Sequence, residues 1–555
     1  MMNTLYSSFR LLLVLMIICP VSFGQKLKRT DKLIISNLSA HVNYLADDKL
    51  EGRRAGTEGE RLAGEYIVKK FHELGLKPGG SDQSWRQPFE INDGKQALPT
   101  SHLIINKNDL RLFSDYFPFP FSASKSLEAS VVMDLSEAGE PWFINLKEIL
   151  ENVQNNPHDD LIGMIRNMAV RAHGKGATAL IVYNDSNEKD LVFNGARAPA
   201  TVDIPVLYVT AAAAKKHLSD RSDNLDITLK VEMGDKKRTG NNIIAFQDNK
   251  APYTIVVGAH YDHIGFGEDG NSLQAKSPDM THNGADDNAS GVAGLIELAR
   301  LLRQSKKKNG ASNYLFIAFS GEESGLYGSK YFTEHPTIDL QKVSCMLNMD
   351  MIGRLNEQSK TLTVGGYGTS PSWATALNAI PASPFFTVKY DSSGAGPSDH
   401  TSFYRKDIPV LFFFTGLHAD YHKPSDDADK INFNGQLHIV KYIFNIIENV
   451  NKMGKLAFLK TIDRQSSTSA QFSVTLGIMP DYTFSGEGVR VDGVSDERPA
   501  QKAGIRAGDI ILQLSDYSTA SLELYMQALS KFKKGERALV KYKRGNELRQ
   551  AEIRF

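Results

Sequence analysis

Between residues 241 and 455, short apolar runs alternate with helical repeats, and this alternation constrains the fold more than any other feature of the chain. The runs are Thr254 to Ala259, Tyr314 to Phe319, Val343 to Asn348 and Val410 to Phe414. Helical spacing recurs over Gly291 to Arg303, Tyr327 to Glu334 and Leu437 to Lys452. Apolar strands alternating with helices predict an α/β three-layer sandwich with a largely parallel central sheet. In such sheets, sites form beyond the carboxyl ends of the strands.

Five stretches put nitrogen or oxygen donors at or beside such ends. Val256 to Ala259 runs into His260-Tyr261-Asp262, and Gly284-Ala285-Asp286-Asp287-Asn288 precedes a helix. Phe316 to Phe319 leads to Ser320-Gly321-Glu322-Glu323, Met346 to Met349 leads to Asp350, and the loop after Val410 to Phe414 carries Tyr421-His422. A lone His or Asp at a strand end is ordinarily a turn residue, but five such ends in one sheet point to a metal centre. Imidazole nitrogen and carboxylate oxygen suit zinc, and no thiolate is offered. Two close divalent ions repel, a carboxylate with two oxygens can bridge and screen them, and Asp287, in a sharp turn before a helix, is suited to this. Asp262 can accept the second ring N–H of His260 and fix its tautomer. Glu322 and Glu323 diverge, so one can bind metal while the other takes a proton from an attacking water; the sequence leaves open which does which.

The rest of the chain has a different texture. Residues 31 to 77 read as helical, broken by the turn signals Glu51-Gly52-Arg53-Arg54-Ala55-Gly56-Thr57. From about 97 to 238, short strands such as Leu127 to Met133, a helix over Met164 to His173 and the buried-strand signal Ala179 to Tyr183 predict a separate small α/β unit. Residues 456–469 read as a linker, and 470–555 as a mainly-β unit. At the start, Arg10, the apolar run Leu11 to Cys19, and Ser22 and Gly24 before Gln25 read as a signal peptide over 1–24. Its nine apolar residues fall short of the roughly 20 that span a bilayer. Export to periplasm or extracellular space is therefore expected, with no membrane span in the mature chain. Cleavage would leave Cys345 alone, without a disulfide partner, in an apolar stretch that places it in the core. Lys+Arg and Asp+Glu are equal at 64 each, which gives no basic surplus for nucleic acid.

At the donor stretches the chain resembles the co-catalytic di-zinc exopeptidases that include secreted bacterial aminopeptidases. The resemblance covers about 30–90 and 240–455, and rests on His260-Tyr261-Asp262, Gly284 to Gly291, Gly321 to Ser329, Asn348-Met349-Asp350 and Tyr421 to Asp426. It implies two zinc ions per chain, His260 and Asp350 holding one, Glu323 and His422 the other, with Asp287 bridging. It implies Glu322 as general base, Asp262 orienting His260, and a cis peptide at Asp287-Asn288. The activity implied is removal of N-terminal residues from peptides with a free N-terminus. Relatives of the fold also act as carboxypeptidases or glutaminyl cyclases, and some receptor ectodomains keep the architecture without metals.

The segment 97–238 resembles a protease-associated domain inserted between the catalytic pieces 25–96 and 239–455, through Gly174-Lys175-Gly176-Ala177 and Asp203-Ile204-Pro205-Val206. Residues 470–555 resemble a PDZ domain, with Leu476-Gly477-Ile478 as a carboxylate-binding loop. That implies a C-terminal peptide ligand, with packing against the catalytic unit as the plainer reading. Ser398-Asp399-His400 lacks the surroundings of a nucleophile elbow and reads as site wall. His263, His282 and His418 flank the donor loops and default to structural roles. Glu268-Asp269-Gly270-Asn271 reads as a turn rather than a calcium loop, and Lys306-Lys307-Lys308 as a solvated loop.

Overall fold

The computed structural model describes residues 27–555 apart from 156–160, 196–199, 220–223, 270, 275–279, 306–311, 462–473, 481–487, 495–497, 521 and 546. The expected signal peptide and Lys306-Lys307-Lys308 lie outside the described residues, as does part of the linker.

The larger α/β unit begins with α1 (Arg29–Leu45) and α2 (Glu58–Glu73), joined through a 3₁₀ segment, Asp48–Arg53. Its strands and helices then run β1 (Arg86–Ala97), β2 (Met233–Gln247), β3 (Tyr253–His260), α3 (Gly291–Gln304), β4 (Ser312–Phe319), α4 (Tyr327–Glu334), β5 (Val343–Met349), β6 (Thr361–Gly365), β7 (Thr387–Tyr390), α5 (His400–Tyr404), β8 (Val410–Phe414) and α6 (Phe433–Val450). A nine-stranded sheet has the order Lys77–Pro78, β2, β4, β3, β5, β8, β6, β7, with β1 paired to β2. The four central strands β4, β3, β5 and β8 are mutually parallel, while β2 and β6 join them antiparallel.

Alternate side chains of the central strands enter two cores. Ile255, Val257, Phe316, Cys345, Leu347, Leu411 and Phe413 face a cluster with α1, α3 and α6. Val256, Leu315, Ile317, Phe319, Met346 and Val410 face a cluster with Phe332 of α4 and Phe403 of α5. Burial on both faces is why these strands read as unbroken apolar runs. Cys345 is fully buried, and burial pushes its thiol pKa up.

β1 and β2 form a long antiparallel ribbon, from Arg86↔Ile243 to Ala97↔Met233. Between them the chain builds a unit of two four-stranded sheets with cores of their own. The C-terminal region is a six-stranded antiparallel sheet in which Ile478–Pro480 is an edge strand, covered by helices Pro499–Lys502 and Leu522–Leu529. No described helix is long and apolar enough to cross a membrane.

Candidate metal centre

The carboxyl ends of β3, β4, β5 and β8 open on one side of the sheet, and the loops leaving them carry the site. β3 ends at His260 itself. Its Nε2 lies 3.3 Å from Asp350 Oδ1 and 3.3 Å from Asp287 Oδ1. On the other side of Asp287, His422 Nε2 lies 3.4 Å from Asp287 Oδ2 and 3.1 Å from Glu323 Oε2. The two oxygens of Asp287 thus face two different nitrogen–carboxylate pairs. A carboxylate oxygen of Glu322 lies within 4.8 Å of ligand atoms of His260 and Asp350. His260, Asp287, Glu322, Glu323, Asp350 and His422 come together from loops scattered over more than a hundred residues.

These separations test the fit of a metal. Ligand atoms of a tetrahedral zinc, at bonds of roughly 2.0–2.1 Å, stand about 3.3–3.4 Å apart. The four pairs above, at 3.1–3.4 Å, lie close to that edge, at the long end of a direct hydrogen bond between a ring nitrogen and a carboxylate. The charges agree. Burial opposes ionisation of Asp287, yet His260 and His422 hold its pKa well below the usual carboxylate range. Burial likewise opposes Glu323, and His422, with His263, brings it down to about 2. Glu322 is partly exposed as a residue, but its enclosed carboxyl is pushed well above the ordinary range by burial; His260 opposes this, and Asp350 and Asp399 add to it. Burial also raises Asp350. For His260 burial is outweighed by Asp350 and Glu322, so its pKa rises well above the ordinary value. A carboxylate-rich pocket that resists ionising all its acids favours bound cations.

The turn carrying Asp287 is fixed from several sides. Gly284 adopts φ 54, and a Cβ there would lie 2.5 Å from the His263 ring, so only glycine fits. Asp426 Oδ2 accepts from the Asp286 and Asp287 amides at 3.0 and 3.1 Å. Asn288 donates to Met349 O at 2.9 Å and accepts from the Gly291 and Met351 amides, tying the turn to the end of β5. The Asp287-Asn288 peptide is cis. His422, at φ 52, donates from Nδ1 to Asn271 O at 3.0 Å, so the Asn271 carbonyl seats this imidazole.

Asp262 meets its expected neighbour differently. His260 Nδ1 bonds the Asp262 main-chain carbonyl at 3.1 Å, while the carboxylate stands 3.7 Å away. That carboxylate instead accepts from the Glu322 amide at 3.2 Å. Ser398, Asp399 and His400 form no relay: Ser398 Oγ accepts from Asn348, and His400 stacks on Phe412 with its pKa lowered to about 3 by burial.

Of two further neighbours, the sequence reading gave one no role in the site and left the other, His263, at a structural role beside the donor loops. Arg53, read as a turn residue, is 1% exposed and bonds the main-chain carbonyls of Tyr261, Asn283 and Gly284 at 2.8, 2.7 and 3.1 Å, and that of Leu45. It clamps the loop of His260 to the turn of Asp287. His263 is also buried, with Nδ1 2.7 Å from Glu323 Oε1. The run His260-Tyr261-Asp262-His263 offered a faint signal for the second; for Arg53 the sequence offered none.

Residues 242–447 match the Peptidase family M28 model, and residues 464–555 the PDZ domain model. The aminopeptidase YwaD of Bacillus subtilis (strain 168) is 28% identical over 277 residues, 48% of this chain and 55% of the relative. A probable leucine aminopeptidase of Arthroderma benhamiae is 30% identical over 212 residues, 37% of this chain and 56% of the relative. The chain thus spans about half the length of these curated relatives. Among solved structures, BSAP, a zinc aminopeptidase from Bacillus subtilis, shows 22% identity and a TM-score of 0.42 over 78% of this chain and 96% of its own.

Proposed function

From the match of residues 242–447 to the Peptidase family M28 model and of residues 464–555 to the PDZ domain model, we propose that this chain is an exported zinc aminopeptidase with two ions per chain. The observation that carries the reading is the division of Asp287, one oxygen toward His260 and the other toward His422. In this reading His260 and Asp350 hold one ion, Glu323 and His422 the other, and Asp287 bridges. Bound there, zinc would polarise the scissile carbonyl and lower the pKa of water from about 15.7 toward about 7. Glu322 takes the proton of the attacking water and delivers it to the leaving amine. Asp262, through its bond to the Glu322 amide, keeps the start of that loop in place, and its own carbonyl fixes the His260 ring.

The unit between β1 and β2 is read as a protease-associated domain. The PDZ domain would take a C-terminal peptide along the edge strand Ile478–Pro480, next to Leu476-Gly477. The signal segment supports export. The assay for the whole reading sets an aminoacyl-anilide beside an N-blocked dipeptide. Cleavage of the first, dependent on zinc, is expected. Cleavage of the blocked dipeptide alone would make the enzyme a carboxypeptidase.

A further inference from the structure

His263 stands close enough to the proposed second ion to be taken for a ligand, since it groups with Asp287 and Glu323. The distances argue otherwise. Its Nδ1 is 2.7 Å from Glu323 Oε1 and 3.8 Å from Asp287 Oδ2. The first is a hydrogen-bond length and is too short for two atoms sharing one tetrahedral zinc; the second is too long. The His422 distances, 3.1 and 3.4 Å to Glu323 Oε2 and Asp287 Oδ2, fit the shared edge. Glu323 therefore presents its two oxygens to different imidazoles, Oε2 beside His422 and Oε1 against His263.

We infer that His263 is a positioning residue for Glu323: its Nδ1–H holds Oε1, leaving Oε2 as the one oxygen directed at the metal. A carboxylate that holds a metal has no proton to give, so in this arrangement the imidazole is the donor. The ring is built into place. It lies against Gly284, where a Cβ would fall 2.5 Å from it, and its main-chain amide donates to Arg53 O at 3.2 Å. Nε2 is buried without a partner among the described residues, so Glu323 is the ring's polar anchor. Hydrogen bonds of this kind to metal-binding carboxylates orient them and tune affinity; losing one costs about 10–100-fold in binding. The inference rests on the two-zinc reading above.

The test measures zinc bound by the full chain in competition with a graded chelator, for wild type and for His263→Phe, His263→Asn and His263→Ala. Phe fills the ring's space and cannot donate. Asn places its amide nitrogen where Nδ1 stood. The expected result is two ions in wild type, one of them weakened about 10–100-fold in the Phe and Ala variants, and near-wild-type binding in the Asn variant. Excess zinc should then restore turnover to His263→Phe. Wild-type affinity in the Phe variant would overturn the inference, as would an equal loss in Phe and Asn, which would make the imidazole itself a ligand. A wild type that takes up no zinc would sink the metal reading first, and this one with it.

Discussion

Replacing Arg53 with Met should cost the catalytic unit about 3–6 kcal/mol, because its guanidinium joins two loops by bonds to main-chain carbonyls alone. Met keeps most of the buried stem, so the change isolates the polar head. A bond from a charged donor contributes about 1.5–3 kcal/mol, so the acceptors of Tyr261, Asn283, Gly284 and Leu45 together represent about 6–12 kcal/mol. Against this stands the penalty of burying the cation. Burial brings the Arg53 pKa down to about 10, eased by Asp287 and Asp262, a penalty of about 3 kcal/mol that Met would relieve. Water entering beside Met would satisfy some of the carbonyls and draws the expected loss to the lower part of that range. Urea unfolding followed by tryptophan fluorescence is the assay, since Trp373 is fully buried in the core of the same α/β unit. Arg53→Lys should fall between Met and wild type, because an ammonium keeps the charge but lacks the fork. A loss below about 1 kcal/mol for Arg53→Met would refute the clamp.

Glu322→Gln should leave zinc content unchanged and lower turnover of an aminoacyl-anilide by about 10²–10⁴-fold; retained activity would remove Glu322 from the role of base. His41, bonded to Tyr66 at 2.8 Å, has its pKa lowered to about 4 by burial, with Lys70 adding to the effect. Its folded value lies below the unfolded one, so its full contribution holds above about pH 6.5 and is lost as pH falls to about 4, amounting to about 3 kcal/mol. In urea titrations across that window, His41→Gln should show a correspondingly shallower decline than wild type; an unchanged slope would refute this.

The strands buried on both faces were legible in the sequence almost residue for residue. β8 and α4 start and end where the apolar pattern does, and β3 runs one residue further at each end, taking in His260. β7 was not legible, because it lies at the sheet edge with its residues half-buried or exposed, and no apolar run marks it. The donor loops were visible because they follow strand ends or, for Asp287, stand directly before α3. Their supports were not. Three of the four carbonyls that Arg53 binds lie 208 to 231 residues away, and main-chain acceptors leave no trace in a sequence. His263 was visible as a residue but not as a partner, since its meaning depends on which oxygen of Glu323 it meets. Asp262 shows a further limit: proximity to His260 was foreseen, but the backbone carbonyl rather than the carboxylate makes the bond.

The central claim is that Asp287 joins two cations. Anomalous diffraction at the zinc edge from zinc-saturated crystals tests it most directly. The account predicts two peaks per chain, about 3.5–4 Å apart, one beside His260 and Asp350 and the other beside Glu323 and His422, with an oxygen of Asp287 on each. A single peak, or two that do not share Asp287, would contradict it.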